Sequence, residues 1–207
     1  GQEFNGFMGI NDNNKPNHTT ILPFTRLVSS PMDYTPGIFN LTEYRYFAPD
    51  NRKINLNHQI PSTISKELAL YVVVYAPIQM AADLPENYEG HPAFQFIKDV
   101  PTDWAQSICI NGEIGKYITM VRKDINSSDW YLGSITNESK RELNIDLSFL
   151  DKDKKYNATI YKDPESGGWE TNPEEIIIEN QLVNSDSNLI IKLPSGGGQA
   201  IRFSLAK

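Results

Sequence analysis

Residues 116–121 read Lys-Tyr-Ile-Thr-Met-Val, and residues 130–135 read Trp-Tyr-Leu-Gly-Ser-Ile. Apolar side chains recur in this region with a period of two residues, which is typical of β-strands with one buried face. Turn-forming Asn, Asp, Ser and Gly residues separate these stretches from further ones of the same kind. The spacing predicts an antiparallel β-sandwich over residues 101–207. Its other predicted strands are 143–147, 156–161, 188–193 and 200–205.

Upstream of Trp104, apolar residues recur at helical spacing instead. The pattern predicts a long helix over 64–84 that Pro77 kinks or interrupts. Ser62 and Ser65 offer acceptors for its first N–H groups.

A second helix is predicted over 17–28, with Asn17 as its N-cap and a bend at Pro23. Residues 30–37 then predict a strand that runs into a Pro/Gly loop carrying Asp33. Residues 1–100 therefore predict an α/β segment that precedes the all-β part.

Two strand–helix units cannot cover both faces of a parallel sheet. We therefore expect the chain to begin within a larger α/β fold whose earlier strands precede Gly1. A (β/α)8 barrel supplies that fold, and barrel enzymes carry their active sites at the C-terminal ends of the strands. Glu3 and Asp33 both follow predicted strands. The upstream part of the same polypeptide, or self-association, is expected to cover the apolar surface of this segment.

Composition excludes several classes of function. A net charge of −7 argues against nucleic acid as a partner. No apolar run reaches the roughly 18 residues of a membrane span. A single cysteine excludes a disulfide framework and a metal site built on several thiolates. That residue, Cys109, lies between Ile108 and Ile110, which predicts a small buried hydrophobe.

Six ordered blocks of sequence closely resemble glycoside hydrolase family 97. The resemblance covers the whole chain, and the order of the six separate blocks makes it specific. The blocks are 18–26 (HTTILPFTR), 31–37 (PMDYTPG), 68–73 with 79–88 (LALYVV and QMAADLPENY), 94–101 (FQFIKDVP), 112–115 (GEIG) and 196–203 (GGGQAIRF).

The resemblance implies an exo-acting α-glycosidase that hydrolyses terminal α-glucosidic or α-galactosidic bonds of oligosaccharides. It implies that this chain is the end of the catalytic barrel plus the C-terminal β domain. It also implies a calcium ion and a periplasmic location. The family's general acid lies in a Gly-x-Glu-(Tyr/Phe)-Asn context, which residues 1–5 match, so Glu3 is implied as that acid.

The chemistry agrees with this assignment, because acetal cleavage needs one carboxylic acid to protonate the departing oxygen and a second carboxylate on the other face. The resemblance implies that the second carboxylate and most calcium ligands lie upstream of Gly1. The metal ligands in this chain, the choice between inversion and retention, and the choice between glucose and galactose stay open. The isolated 207 residues are expected to show no turnover.

Each candidate residue also has a plain structural interpretation. Glu3 could be a solvated terminal carboxylate, and Asn5 could bind a sugar hydroxyl or satisfy loop backbone. Asp33 could touch substrate or cap its own turn. Trp169 after Ser166-Gly167-Gly168 is the one tryptophan predicted to be exposed, and Glu174 is predicted to lie in a solvated turn. The competing functional hypothesis is a non-catalytic carbohydrate-binding or scaffolding β domain.

Overall fold

The computed structural model describes residues 15–42 and 60–206. Within these residues, two 3₁₀ turns and four short helices precede eight strands. The helices are α1 (Arg26–Ser29), α2 (Ile64–Val73), α3 (Pro85–Tyr88) and α4 (Phe94–Asp99). The strands are β1 (Trp104–Glu113), β2 (Tyr117–Asp124), β3 (Trp130–Thr136), β4 (Arg141–Asp146), β5 (Tyr156–Lys162), β6 (Ile177–Val183), β7 (Asn188–Leu193) and β8 (Gly198–Leu205).

The strands form two antiparallel sheets. Six of them pair in the order β1-β2-β3-β8-β5-β6, and β4 pairs with β7 in a two-stranded sheet. One hydrophobic cluster draws on both sheets, with Leu132 and Ile201 from the larger sheet and Ile145 and Ile191 from the smaller one. The predicted antiparallel sandwich is confirmed.

The period of two in strand β3 divides its side chains between two cores. Trp130 and Leu132 belong to the cluster between the sheets. Tyr131 and Ile135 point to the opposite face and join a second cluster, which includes helix α2 and the segment before it. The central strands are therefore buried on both faces, and every residue of β3 is buried. The domain boundary predicted at residue 100 stays a prediction, although one cluster joins residues on both sides of it.

Helix α2 lies directly on the six-stranded sheet because glycines provide the space. A Cβ on Gly133 would stand 2.5 Å from the carbonyl oxygen of Ala69, and a Cβ on Gly198 would stand 2.5 Å from Lys66 Cα. At the C-terminal end of α2, the buried Arg122 donates from Nε to the Val72 carbonyl at 2.6 Å. A cation at this end also complements the helix dipole.

The long helix predicted over 64–84 is wrong in its length, since α2 ends at Val73. Val74 is extended, and Pro77 then prevents the helix from resuming. The N-cap is Thr63, whose side chain accepts the Lys66 N–H, rather than Ser62 or Ser65.

The helix predicted over 17–28 is replaced by two 3₁₀ turns, His18–Thr20 and Leu22–Phe24, followed by α1. Asn17 makes no side-chain cap, and Pro23 lies inside the second turn.

The strand predicted at 30–37 reduces to a single bridge residue, Tyr34. Pro31 and Pro36 lack the N–H groups that a strand ladder needs. The barrel interpretation of this segment therefore stays a prediction. No helix of the described residues is long and apolar enough to cross a membrane.

The predicted burial of Cys109 is wrong, because the residue is exposed on β1. This strand lies at an edge of its sheet. Ile108 and Ile110 pack against the cluster between the sheets, while the cysteine between them points the other way.

Candidate functional site

The three site residues predicted from the sequence have different outcomes. Glu3 and Asn5 lie outside the described residues. Asp33 is exposed and follows the buried Met32, whose N–H donates to the Tyr75 carbonyl at 3.2 Å. In the described part of the chain, no hydrogen bond involves the Asp33 side chain, so the turn-capping interpretation has no support there. Its role in substrate binding stays a prediction.

The loop after Asp33, residues 36–42, is called here the anchored loop. Three carboxylates hold its backbone N–H groups. Glu67 Oε2 accepts from Gly37 at 2.9 Å, Asp83 Oδ2 from Phe39 and Asn40 at 2.8 Å each, and Glu174 Oε1 from Leu41 at 2.8 Å and Thr42 at 2.9 Å. Charge-assisted hydrogen bonds of this kind are stronger than neutral ones.

The three carboxylates come from distant parts of the sequence. Glu67 lies on α2, Asp83 lies just before α3, and Glu174 lies between β5 and β6. Glu174 lies in a bend, as predicted, but it is half-buried rather than simply solvated, and its Oε1 also accepts from Thr42 Oγ1 at 2.8 Å. The anchored loop is therefore fixed to the helical segment and to the β domain at once.

Two tyrosines hold the carbonyl groups of the same loop. Tyr71 Oη lies within hydrogen-bond distance of two carbonyl oxygens, that of Pro36 in the loop at 3.1 Å and that of Met80 at 2.8 Å, and can donate its proton to either. Tyr88 Oη donates to the Gly37 carbonyl at 2.7 Å. Gly37 has a φ of 94°, and a Cβ there would collide with the Tyr71 hydroxyl, so only glycine fits.

An open pocket of about 480 Å³ lies beside the anchored loop. Its lining includes Phe39, Asn87, His91 and Glu174. The ring of His91 packs 4.7 Å from that of Phe39, and burial lowers the pKa of His91. Its Nδ1 accepts the Ala93 N–H at 3.2 Å, which assigns the proton of the neutral ring to Nε2. His91, to which the sequence assigns no site role, thus offers a neutral N–H donor beside the loop.

Two further charges lie where α2 meets the sheet. Lys66 Nζ is buried and donates to the carbonyls of Pro16 at 2.9 Å and Thr136 at 3.0 Å. Burial lowers its pKa to about 8. Asp163 accepts the Gly198 N–H at 2.9 Å, and burial raises its pKa to about 7. Because these groups are enclosed and bonded to backbone, we assign them to the packing of α2.

The tryptophans give no exposed platform for a sugar ring. Trp130 is buried, and Trp104 packs edge-on against Tyr131 with ring centroids 5.7 Å apart. The prediction that Trp169 is exposed is wrong, because its indole lies against Gly196 and the residue is half-buried.

The described residues contain no group of three or more His, Cys, Asp or Glu side chains that could hold a metal ion. The acidic residues around the anchored loop illustrate why. Glu67, Asp83 and Glu174 each use their oxygens to accept backbone N–H groups. These carboxylates therefore serve to hold the anchored loop, and calcium binding stays a prediction.

Comparison with known proteins gives concordant matches. Residues 103–204 match the family described as Glycosyl-hydrolase 97 C-terminal, oligomerisation. The chain is 35% identical over 188 residues to a retaining alpha-galactosidase of Bacteroides thetaiotaomicron, a match that covers 90% of this chain and 27% of that protein. A probable retaining alpha-galactosidase of Streptomyces bingchenggensis is 31% identical over 121 residues, which cover 58% of this chain and 16% of that protein.

Solved structures agree. A glycoside hydrolase family 97 enzyme of Pseudoalteromonas sp. strain K8 in complex with panose is 45% identical, with a TM-score of 0.86. The match covers 94% of this chain and 29% of that one, and the same enzyme has been solved with acarbose. A beta-arabinopyranosidase at 24% identity and a TM-score of 0.71, with 90% of this chain and 27% of that one covered, shares the fold. The chain thus spans less than a third of the length of these relatives.

Proposed function

Because this chain belongs to glycoside hydrolase family 97, as a C-terminal portion, we propose that the full-length protein hydrolyses terminal α-glycosidic bonds of oligosaccharides. The observation that carries the proposal is the extent of the match. Similarity to the α-galactosidase covers 90% of this chain and so reaches well beyond the β domain at 103–204. A β domain joined to an unrelated protein would not share the helical segment as well.

We propose Glu3 as the general acid that protonates the departing glycosidic oxygen. The two curated relatives are named retaining enzymes, which supports a second carboxylate acting as nucleophile in the upstream part of the protein. Asn5 and Asp33 are proposed to contact the sugar. The bond is α-glucosidic or α-galactosidic, since the relatives include an enzyme solved with panose and one named for galactosides.

Calcium is proposed for the full-length protein, with its ligands outside the described residues. Bound there, it would supply positive charge near the reacting carboxylates. The anchored loop contributes in another way, because its rigid attachment fixes the position of the segment that carries Asp33. A periplasmic location stays a prediction.

The test is hydrolysis of p-nitrophenyl α-glucoside and p-nitrophenyl α-galactoside by the full-length gene product, with and without a calcium chelator. We expect chelator-sensitive turnover of one substrate, and a loss of at least about a hundredfold in Glu3→Gln, the scale of general acid catalysis. Glu86→Gln, at an exposed position, is the matched control. A folded, calcium-loaded protein that cleaves neither substrate would favour the carbohydrate-binding or scaffolding alternative instead.

A further inference from the structure

The sheets have four strands with a free edge in the described part of the chain, and three of these edges are protected. Strand β1 is interrupted by two register irregularities, which commonly blunt edges. Strand β4 carries three charged residues, Arg141, Glu142 and Asp146, and β7 carries Lys192, a lysine being the charged residue especially used to protect an edge. Charged side chains on an edge oppose pairing with another strand.

Strand β6 lacks these protective features. It pairs with β5 in unbroken register over seven residues, Ile177 to Val183, and contains neither proline nor lysine. Its one charged residue is Glu179, which is paired with Lys162 at 2.7 Å. Leu182 is 57% exposed and Ile177 is 38% exposed. A regular edge with exposed apolar side chains is a template for another strand.

The pattern of apolar and polar residues in β6 is also symmetric about its central residue. It reads Ile-Ile-Glu-Asn-Gln-Leu-Val, with two apolar residues at each end and three polar residues between them. When such a strand pairs antiparallel with its own copy about Asn180, Ile178 meets Leu182 and Glu179 meets Gln181. No charge then faces a like charge, and each favourable pair occurs twice.

We propose that β6 pairs with β6 of a second copy of this chain across a two-fold axis at Asn180, joining the two six-stranded sheets. We expect the partner strand to come from a second copy of this chain because the edge of β6 is complementary to itself. In addition, the description of the family that matches residues 103–204 includes the word oligomerisation. This association goes beyond the proposed hydrolysis and does not depend on it.

The proposed register can be tested at Gln181, because one substitution there should weaken the dimer and another should strengthen it. Gln181→Glu places a carboxylate opposite the partner's Glu179, while Gln181→Lys places an ammonium there. Each change occurs twice in a dimer, and exposed charge pairs contribute up to about 1 kcal/mol each. We therefore expect the dimer Kd to rise roughly fivefold to thirtyfold in Gln181→Glu and to fall in Gln181→Lys.

Sedimentation velocity of the full-length gene product measures these Kd values. Gln106→Glu and Gln106→Lys, at an exposed position on the other edge strand β1, are the matched controls and should leave Kd unchanged. A protein that is monomeric at micromolar concentration overturns the proposal. So does a dimer whose Kd is insensitive to Gln181, or whose Kd moves in the same direction in both variants. Turnover measured on the same samples tests the catalytic proposal separately.

Discussion

Glu67 Oε2 accepts the Gly37 N–H at 2.9 Å and so connects helix α2 to the anchored loop. Both residues are buried. The other oxygen, Oε1, accepts from Ser62 Oγ at 2.6 Å, and burial raises the pKa of this carboxyl group. One side chain therefore links the loop, the helix and the residue that precedes its N-cap.

Glu67→Leu should loosen the anchored loop. The substitution leaves the buried Gly37 N–H without its acceptor, which costs about 1–3 kcal/mol. Amide hydrogen exchange of residues 37–42 in the full-length protein should accelerate roughly tenfold or more. Glu67→Gln keeps a carbonyl oxygen and should lose much less protection. Equal exchange in wild type and both variants would show that this hydrogen bond does not hold the loop.

Gly133→Ala should destabilise the contact between α2 and the sheet. The new Cβ would stand 2.5 Å from the Ala69 carbonyl oxygen and 3.0 Å from Val72 Cβ, so the helix must shift. Overpacking of this kind costs about 1–3 kcal/mol. Gly90→Ala is the comparison, since a Cβ there meets nothing within 4 Å and only the φ of 73° opposes it. Thermal unfolding of the two variants distinguishes contact from backbone strain, and a smaller loss at Gly133 would contradict the packing argument.

The sequence predicts strands well where burial leaves a clear apolar pattern. The prediction for residues 188–193 has the same bounds as β7, whose residues alternate between exposed and buried. The prediction for residues 130–135 differs by one residue from the fully buried β3. The edge strands β1 and β6 are missed. Most of their residues are exposed or half-buried, so they carry little of the alternation that marks a strand.

The anchored loop could not be predicted for a different reason. Its carboxylates lie 30 to 133 residues away from the N–H groups they accept. Contacts at such separations depend on the tertiary fold, and a single Glu in a turn looks the same in sequence whether solvated or bonded. The proline and glycine residues of 31–37 do predict a loop, but not what holds it.

Asp163→Asn should change how the stability of the α2 contact depends on pH. Burial raises the pKa of Asp163 from 3.8 to about 7, so the folded protein retains a proton that the unfolded chain has lost. The stability that this group contributes is complete below pH 4 and is lost as pH rises through about 7. The variant cannot ionise and still accepts the Gly198 N–H through its amide oxygen.

We therefore expect the amide protons of α2 to exchange more slowly in Asp163→Asn than in wild type. The difference should grow as pH rises between pH 5 and pH 8, to at most about 4 kcal/mol. Each comparison is made at one pH, so the intrinsic pH dependence of exchange cancels. Asp186→Asn, at an exposed position, should show no such trend. If the ratio of the α2 exchange rates in the variant and in wild type stays constant across this pH range, Asp163 does not titrate there.

Asp33→Ala separates the substrate-binding interpretation from the structural one. The side chain is exposed and accepts no hydrogen bond within the described residues, so the change should leave thermal stability within about 0.5 kcal/mol. If Asp33 accepts hydrogen bonds from a sugar, its loss should lower kcat/KM of the full-length enzyme roughly tenfold to a hundredfold, since hydrogen bonds to a charged group contribute about 1.5–3 kcal/mol. Glu86→Ala, also exposed, should leave kcat/KM unchanged. Loss of stability with normal kcat/KM would instead support a turn-forming role, and the anchored loop would then hold the backbone without presenting Asp33 to substrate.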